Sequence, residues 1–566
     1  MWERLAGIRR PSRGKRARVS RAMPGLVLGP LLRYTGSTQA TVWVETDEAC
    51  EVAVLGARQR TFCVEGHHYA LVVLSDLDEG SVRPYEVHLD GERAWPPDDG
   101  RPASTIHTRE HERRARLVFG SCRVGDPERP PYTLERTEHP LGFGIDALWA
   151  LSRRLQSGQE EWPDCLLLLG DQVYADETSE QTRAFIRARR DTSREPGEQV
   201  ADFEEYARLY REAWSDPDIR WLLATVPSTM IFDDHDVHDD WNISAAWVRE
   251  ARATPWWEER ITGAFMSYWI YQHIGNLAPP ELDEERLLAE ISAEADGGPR
   301  LREFARAVDR EPAASRFAFY RDFGRSRLVV IDSRASRVLT EGSRDMVDDE
   351  EWQWIAEHTR GAFDHLIIAS TLPVFMTPGI DGLEAWNEAV CSGAWGRLAA
   401  RAGEKLRRAV DLEHWPAFQR SFRTMVELLH ELAEGPDSPG TISFIGGDVH
   451  TVYVAEVALG ERQQSRVFQI VCSPFRNPLE PRERRVVKLL ASRAAGVVAR
   501  ALARSAGVRR PDVSWRLVSP VTFHNSVAVL ALEERRAQLT IRRSAPETPD
   551  GWPLELLYQR DLTPRP

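Results

Sequence analysis

Apolar runs a few residues long recur along the chain, and each closes on residues of a chemically useful type. Thr229-Met230-Ile231-Phe232 leads straight into Asp233-Asp234-His235-Asp236-Val237-His238-Asp239-Asp240, where seven acidic or imidazole side chains fill eight positions. The run 115–119 ends in Gly120-Ser121-Cys122-Arg123, and 165–169 ends in Gly170-Asp171-Gln172-Val173-Tyr174. The run 328–331 ends in Asp332-Ser333-Arg334, 365–369 in Ser370-Thr371, and 441–445 in Gly446-Gly447-Asp448-Val449-His450. Short continuous apolar runs bounded by turn residues predict buried strands. Between them lie stretches of helical period: residues 203, 206, 209, 210 and 214 share one helix face, and 422–432 reads alike. Strands alternating with helices predict an α/β layered domain over 113–566, with closing strands at 527–532 and 537–542.

Residues 23–112 have another texture. The runs 40–45, 50–55, 68–74 and 85–89 are short, rich in valine and aromatics, and separated by turns such as Asp90-Gly91. That pattern predicts a small β-sandwich. Residues 281–309 read as a polar helical surface insertion near the site. Residues 482–510 read as one basic helix with Val486, Leu490, Ala494, Val497 and Ala501 along one side, docked with its cationic face in water, the other reading being contact with an acidic membrane or a partner. The tryptophans after the acidic run (Trp241, Trp247, Trp256, Trp257, Trp269) are expected mainly in packing, with one or two walling the site mouth.

Size and charge narrow the function. At 566 residues the chain exceeds one ordinary domain, and 42% hydrophobic residues suffice for a sizeable core. A net charge of -14 argues against nucleic acid as the main partner. A small phosphorylated substrate stays compatible, because bound cations invert a local field. The six cysteines contain no CxxC pair, which removes a zinc ribbon or a thioredoxin-like site. No apolar run reaches transmembrane length. Residues 1–22 form a basic tail with Arg9-Arg10, and the apolar stretch 22–32 follows. A twin-arginine export signal is one reading. Two prolines and two glycines interrupt the stretch and no cleavage site follows, so a cytoplasmic protein with a basic tail is expected.

The clustered carboxylates point to chemistry. Like charges repel, so a compact chain tolerates them best around a cation. A glycine precedes Asp171 and Asp448, as a tight turn off a strand requires. Each block alone fits a solvated loop or a buried small thiol; together in one α/β domain they describe a metal site.

The blocks Gly120-Ser121-Cys122-Arg123, Gly170-Asp171-Gln172-Val173-Tyr174, Phe232-Asp233-Asp234-His235-Asp236 and Gly447-Asp448-Val449-His450 resemble those of the alkaline phosphatase D (PhoD-like) family. Ile331-Asp332-Ser333-Arg334 and Glu351-Trp352-Gln353-Trp354-Ile355 agree with it. The resemblance implies a four-layer α/β/β/α metallophosphatase core behind an N-terminal β-sandwich. It also implies Cys122, Asp171, Tyr174, Asp234, Asp448 and His450 as metal ligands, with His235 meeting the leaving group. Whether Asp233 or Asp234 touches metal stays open. A thiolate with a phenolate suits Fe(III), and carboxylates suit Ca²⁺ or another hard divalent ion, in line with the family's iron and calcium centre. Arg123 and Arg334 are candidate phosphate contacts. The expected activity is metal-dependent phosphoester hydrolysis. The alternatives are a phosphodiesterase or phospholipase D-like hydrolase with the same centre, and a binding protein without turnover.

Overall fold

The computed structural model describes residues 23–110, 114–546 and 553–563. The basic tail 1–22 lies outside the described residues. Within 23–32 the chain is largely strand: Leu26–Thr35 pairs antiparallel with Ala40–Thr46, and Leu28, Leu31 and Leu32 are fully buried. Its interior Gly29-Pro30 is tolerated because this strand is the sheet edge, where no further strand needs the missing N–H.

The N-terminal region packs two four-stranded antiparallel sheets face to face. One holds Leu26–Thr35, Ala40–Thr46, His67–Leu74 and Phe62–Val64; the other holds Ala57–Arg60, Glu51–Val54, Val87–Leu89 and Glu92–Trp95. Val42, Val44 and Val72 of the first meet Val52, Val54 and Val87 of the second. The alternate residues Trp43, Tyr69 and Leu71 join the core of the following region instead. Both faces of Ala40–Thr46 are therefore covered, and all its residues are buried.

The remainder is built on two mixed sheets. The six-stranded sheet runs in the order Ser228–Ile231, Cys165–Leu169, Arg114–Gly120, Ser526–Glu533, Arg536–Ser544, Leu554–Asp561, and its first three strands are parallel. The seven-stranded sheet runs Phe319–Phe323, Ser326–Ile331, His365–Ser370, Thr441–Gly446, Arg466–Cys472, Val452–Ala458, Ser514–Leu517. Period two divides its side chains. Ile367, Ala369 and Ile445 face the other sheet, while Leu366, Ile368 and Phe444 face the helices Asp349–Thr359 and Gln419–Glu434. Helices such as Ala147–Gln156 cover the outer face of the six-stranded sheet, which completes an α/β/β/α stack.

Two expectations need correction. Residues 281–309 form the helices Pro279–Glu284, Arg286–Ala293 and Gly298–Arg310, and they pack toward the N-terminal sheet. Gly297 donates to the Cys63 carbonyl at 2.8 Å, and Arg302 pairs with Glu65. Residues 482–510 are two helices, Pro481–Leu490 and Arg493–Ser505, because Ser492 caps the second through the Ala495 N–H. The buried stripe of the second is Gly496, Ala499 and Ala503, so the apolar side read from the sequence points outward.

Candidate metal centre and its relatives

The parallel strands Arg114–Gly120, Cys165–Leu169 and Ser228–Ile231 end side by side. Their following loops carry Cys122, Asp171 and Tyr174, and the acidic run. Thr441–Gly446, in the other sheet, delivers Asp448 and His450 to the same place. The loops are sewn together: the Cys122 N–H donates to the Gly170 carbonyl (3.3 Å), and the Asp448 N–H donates to Ser121 Oγ (3.0 Å). Four of the expected ligands, Cys122, Asp171, Asp448 and His450, have φ of 55°, 50°, 61° and 45°. Left-handed backbone is sparse for residues other than glycine and costs about 1–3 kcal/mol each, a cost that marks functional sites. Gly170 (φ +87°) must lack a side chain, because a Cβ there would lie 2.5 Å from Asp233 Cβ.

Two compact donor sets result. Cys122, Asp171 and His450 offer ligand atoms within 4.8 Å of one another, as do Asp171, Asp233 and Asp234. Asp171 belongs to both. Both its carboxylate oxygens are buried without a hydrogen-bond partner, as are Asp233 Oδ2 and Asp234 Oδ1. Buried polar atoms are almost always satisfied, so this concentration of orphaned oxygens is the signature of a cation seat, and the donor chemistry fits one. Burial, then the neighbouring Asp233, Asp234 and Asp448, pushes the Asp171 carboxyl far up against the opposing pull of His235. Burial likewise raises the Cys122 thiol, helped by Asp171 and Asp448. Burial drops His450 to about 4, against Asp448, which leaves the imidazole in its neutral, metal-binding form.

Tyr174 stands over this centre. Its hydroxyl accepts from Asn477 Nδ2 (3.1 Å), and its ring lies 4.8 Å from that of His235. His235 is held at Nδ1 by Asp176 Oδ1 (3.0 Å), and its Nε2 has Asp239 Oδ1 at 3.8 Å. Burial opposes charge on the ring, but Asp176, Asp234 and Asp171 outweigh it and raise His235 well above its usual range. The Asp448 carboxylate lies outside both compact sets. It faces His414 Nε2 (3.6 Å), whose Nδ1 is bound to Glu384 Oε1 (2.5 Å).

Asp236 shapes the ligand loops. It accepts the backbone N–H groups of Asp171 (3.0 Å), Asp233 (2.8 Å) and Val173 (3.2 Å). Behind it a π-helical turn, Tyr268–His273, turns Gln272 toward Asp236 Oδ1 at 3.5 Å. Arg33 of the N-terminal region braces that turn, donating to the Tyr271 and Gln272 carbonyls at 2.7 Å each.

The two arginines proposed as phosphate contacts have other work. Arg123 is buried, with Nε on Asp146 Oδ2 (2.7 Å) and a guanidinium N–H on the Ala213 carbonyl (2.6 Å), a structural ion pair. Arg334 is fully buried against Asp233, Asp234 and Glu413. It neutralises the carboxylates. Trp241, Trp247, Trp257 and Trp269 are core residues, while half-buried Trp256 lies 6.1 Å from the ring of His238. Asp176, Glu384 and His414 escaped sequence reasoning; for Asp176 a signal existed, since it closes the same loop as Asp171 and Tyr174.

Residues 152–294 match a family model described as PhoD-like phosphatase. The match takes in Asp171, Tyr174, Asp233, Asp234 and His235, and it excludes Cys122, Asp448 and His450. Residues 23–106 match a model described as a domain of unknown function, DUF7800. No curated protein matches the chain. Among solved structures, one titled as the structure of PhoD is similar at a TM-score of 0.57 and 11% identity, over 96% of this chain and 93% of that one. A purple acid phosphatase, PPD1, from yellow lupin (Lupinus luteus) seeds aligns at a TM-score of 0.49 and 10% identity, over 96% of this chain and 74% of that one. Residues 152–294 therefore carry a PhoD-like phosphatase domain and the chain has the fold of the PhoD structure, which together support a metal-dependent phosphatase.

Proposed function

We propose that the chain hydrolyses small phosphomonoesters, with water attacking phosphorus in line and His235 assisting departure of the alcohol. Asp171 carries this reading: one carboxylate shared by two compact donor sets, with both oxygens buried and unpartnered. Cys122, Tyr174 and His450, with Asp171, would hold iron. Asp171, Asp233 and Asp234 would hold calcium or another hard divalent ion, with Asp448 alongside. Such a pair supplies charge neutralisation for the phosphoryl oxygens and acidifies the attacking water.

The chain's own residues do the rest. Asp176 at Nδ1 fixes the His235 ring and stabilises its doubly protonated form, so Nε2–H is available to the leaving oxygen. Proton transfer of this kind contributes about 10²–10⁴ in rate. Arg334 offsets the mutual repulsion of Asp233 and Asp234, and Asp236 fixes the backbone that presents them. In this reading residues 113–566 form the catalytic domain and 23–112 an accessory sandwich. No helix among the described residues is long and apolar enough to cross a membrane. Six unpaired cysteines favour a cytoplasmic location.

Metal analysis with visible spectroscopy tests the centre: aerobically purified protein should show thiolate/phenolate-to-iron absorption. Active, colourless, iron-free enzyme would remove iron from the proposal. Turnover of p-nitrophenyl phosphate should exceed that of bis(p-nitrophenyl) phosphate; the reverse order would make the enzyme a diesterase.

A further inference from the structure

One face of the molecule combines exposed aliphatic side chains with unpaired cations. We infer that the helix pair Pro481–Leu490 and Arg493–Ser505 is a docking surface for an anionic lipid bilayer. The second helix lies on Pro378–Cys391 through small residues: Ala499 is so close to Gly382 that a Cβ on the glycine would meet it at 2.8 Å. That contact leaves the opposite side without a partner, and Val497 and Val498 are 60% and 68% exposed. The first helix buries none of its residues and presents Val486 and Leu489 at 56% and 67% exposure. Trp395, 45% exposed, donates its indole N–H to the Ser505 carbonyl (3.3 Å), which joins it to the end of the second helix.

The charge of this face is opposite to that of the chain. Residues 481–510 carry nine arginines and lysines against the single acid Glu483, in a protein of net charge -14. Among the described residues no carboxylate lies in ion-pair range of Arg482, Arg485, Arg493 or Arg504. Aliphatic tips ringed by cations, with a tryptophan at the boundary, match the chemistry of a membrane surface, where headgroups take the charge and acyl chains take the tips. A protein partner would need a contiguous core depleted of charge, whereas arginines interrupt this one. A second copy meeting face to face would oppose two cationic clusters. The helices are too short to span a bilayer, so the contact is superficial.

Sedimentation of the full-length, metal-loaded enzyme with vesicles tests this. Binding is expected to phosphatidylcholine vesicles containing phosphatidylserine and not to phosphatidylcholine alone, and it should weaken as salt rises. Arg493→Gln with Arg504→Gln should lower partitioning about thirtyfold, and Leu489→Ser with Val498→Ser at least about tenfold. Both double variants should keep wild-type turnover of p-nitrophenyl phosphate, which shows that they fold. The inference is overturned if wild type ignores phosphatidylserine vesicles or if both variants bind undiminished. Self-association of wild type that Leu489→Ser/Val498→Ser abolishes, without lipid binding, would give the face to a second copy instead.

Discussion

Two regions of this molecule bury charge, and they treat it in opposite ways. At the seam between the N-terminal sandwich and the phosphatase layers, the buried charged groups Arg33, Glu45 and His67 have protein partners. Arg33 donates to the carbonyls of Ser228, Tyr271 and Gln272 and to Asn276 Oδ1. Glu45 accepts from Tyr271 (3.1 Å) and lies 2.9 Å from His67, which reaches Glu204 at 2.8 Å. At the proposed metal centre, both oxygens of Asp171 and Oδ2 of Asp233 have no hydrogen-bond partner, and Asp234 Oδ1 meets only Arg334 at 3.1 Å. A satisfied buried network holds a fold together; an unsatisfied one has been left open for something the chain does not supply. The difference separates residues that act from residues that support.

The largest test of that distinction is Asp171→Asn. It should lower kcat for p-nitrophenyl phosphate at least about a thousandfold, because both donor sets lose their shared charge. Melting should stay close to wild type, since no hydrogen bond is lost. Turnover near wild type would dissolve the comparison. At the seam the expectation is inverted. Arg33→Met should cost about 3 kcal/mol of stability by stranding buried carbonyls, read as a lower denaturant midpoint at unchanged metal content. A variant with unaltered midpoint would show the seam to be ornamental.

Asp176→Asn sharpens the contrast within the site. Asp176 is held far below the usual carboxylate range, because His235 outweighs its burial. The variant should lose about tenfold to a hundredfold in kcat while keeping its metal. Loss of metal instead would place Asp176 among the ligands. The smallest effect concerns His67. Burial disfavours its charge, yet Glu204 and Glu45 raise it from 6.5 to about 9. Protons bind it more tightly in the folded state, so its contribution is complete below pH 6.5 and lost as pH passes about 9. Wild type should lose about 2 kcal/mol between about pH 7 and pH 9. His67→Gln should lack that slope, and an identical slope in the variant would assign it elsewhere.

Strands covered on both faces read as continuous apolar runs, so 165–169 and 328–331 could be recognised from the sequence, and with them the residues at their ends. Leu26–Thr35 was obscured by Gly29-Pro30, which only its place at a sheet edge explains. The direction of a side chain is set by its neighbours in space. Arg123 therefore looked like a phosphate contact but turns to Asp146, and Arg334 turns to the acids. The pair Glu384 and His414 is joined across 30 positions with no shared motif, so no local pattern could disclose it. For the same reason the side of 482–510 that looked made for burial proved to face outward: glycine and alanine allow the close approach on the other side.

Arg33 has a practical bearing on how this enzyme can be cut. Its guanidinium sits in the phosphatase layers, against the strand that feeds the acidic run and the turn behind Asp236. A truncation starting just after residue 106, where one family match stops, would discard that arginine and leave raw carbonyls where it had plugged the wall. The sandwich is thus a wedge in the layered half, and a truncation that keeps it is expected to be the more stable one.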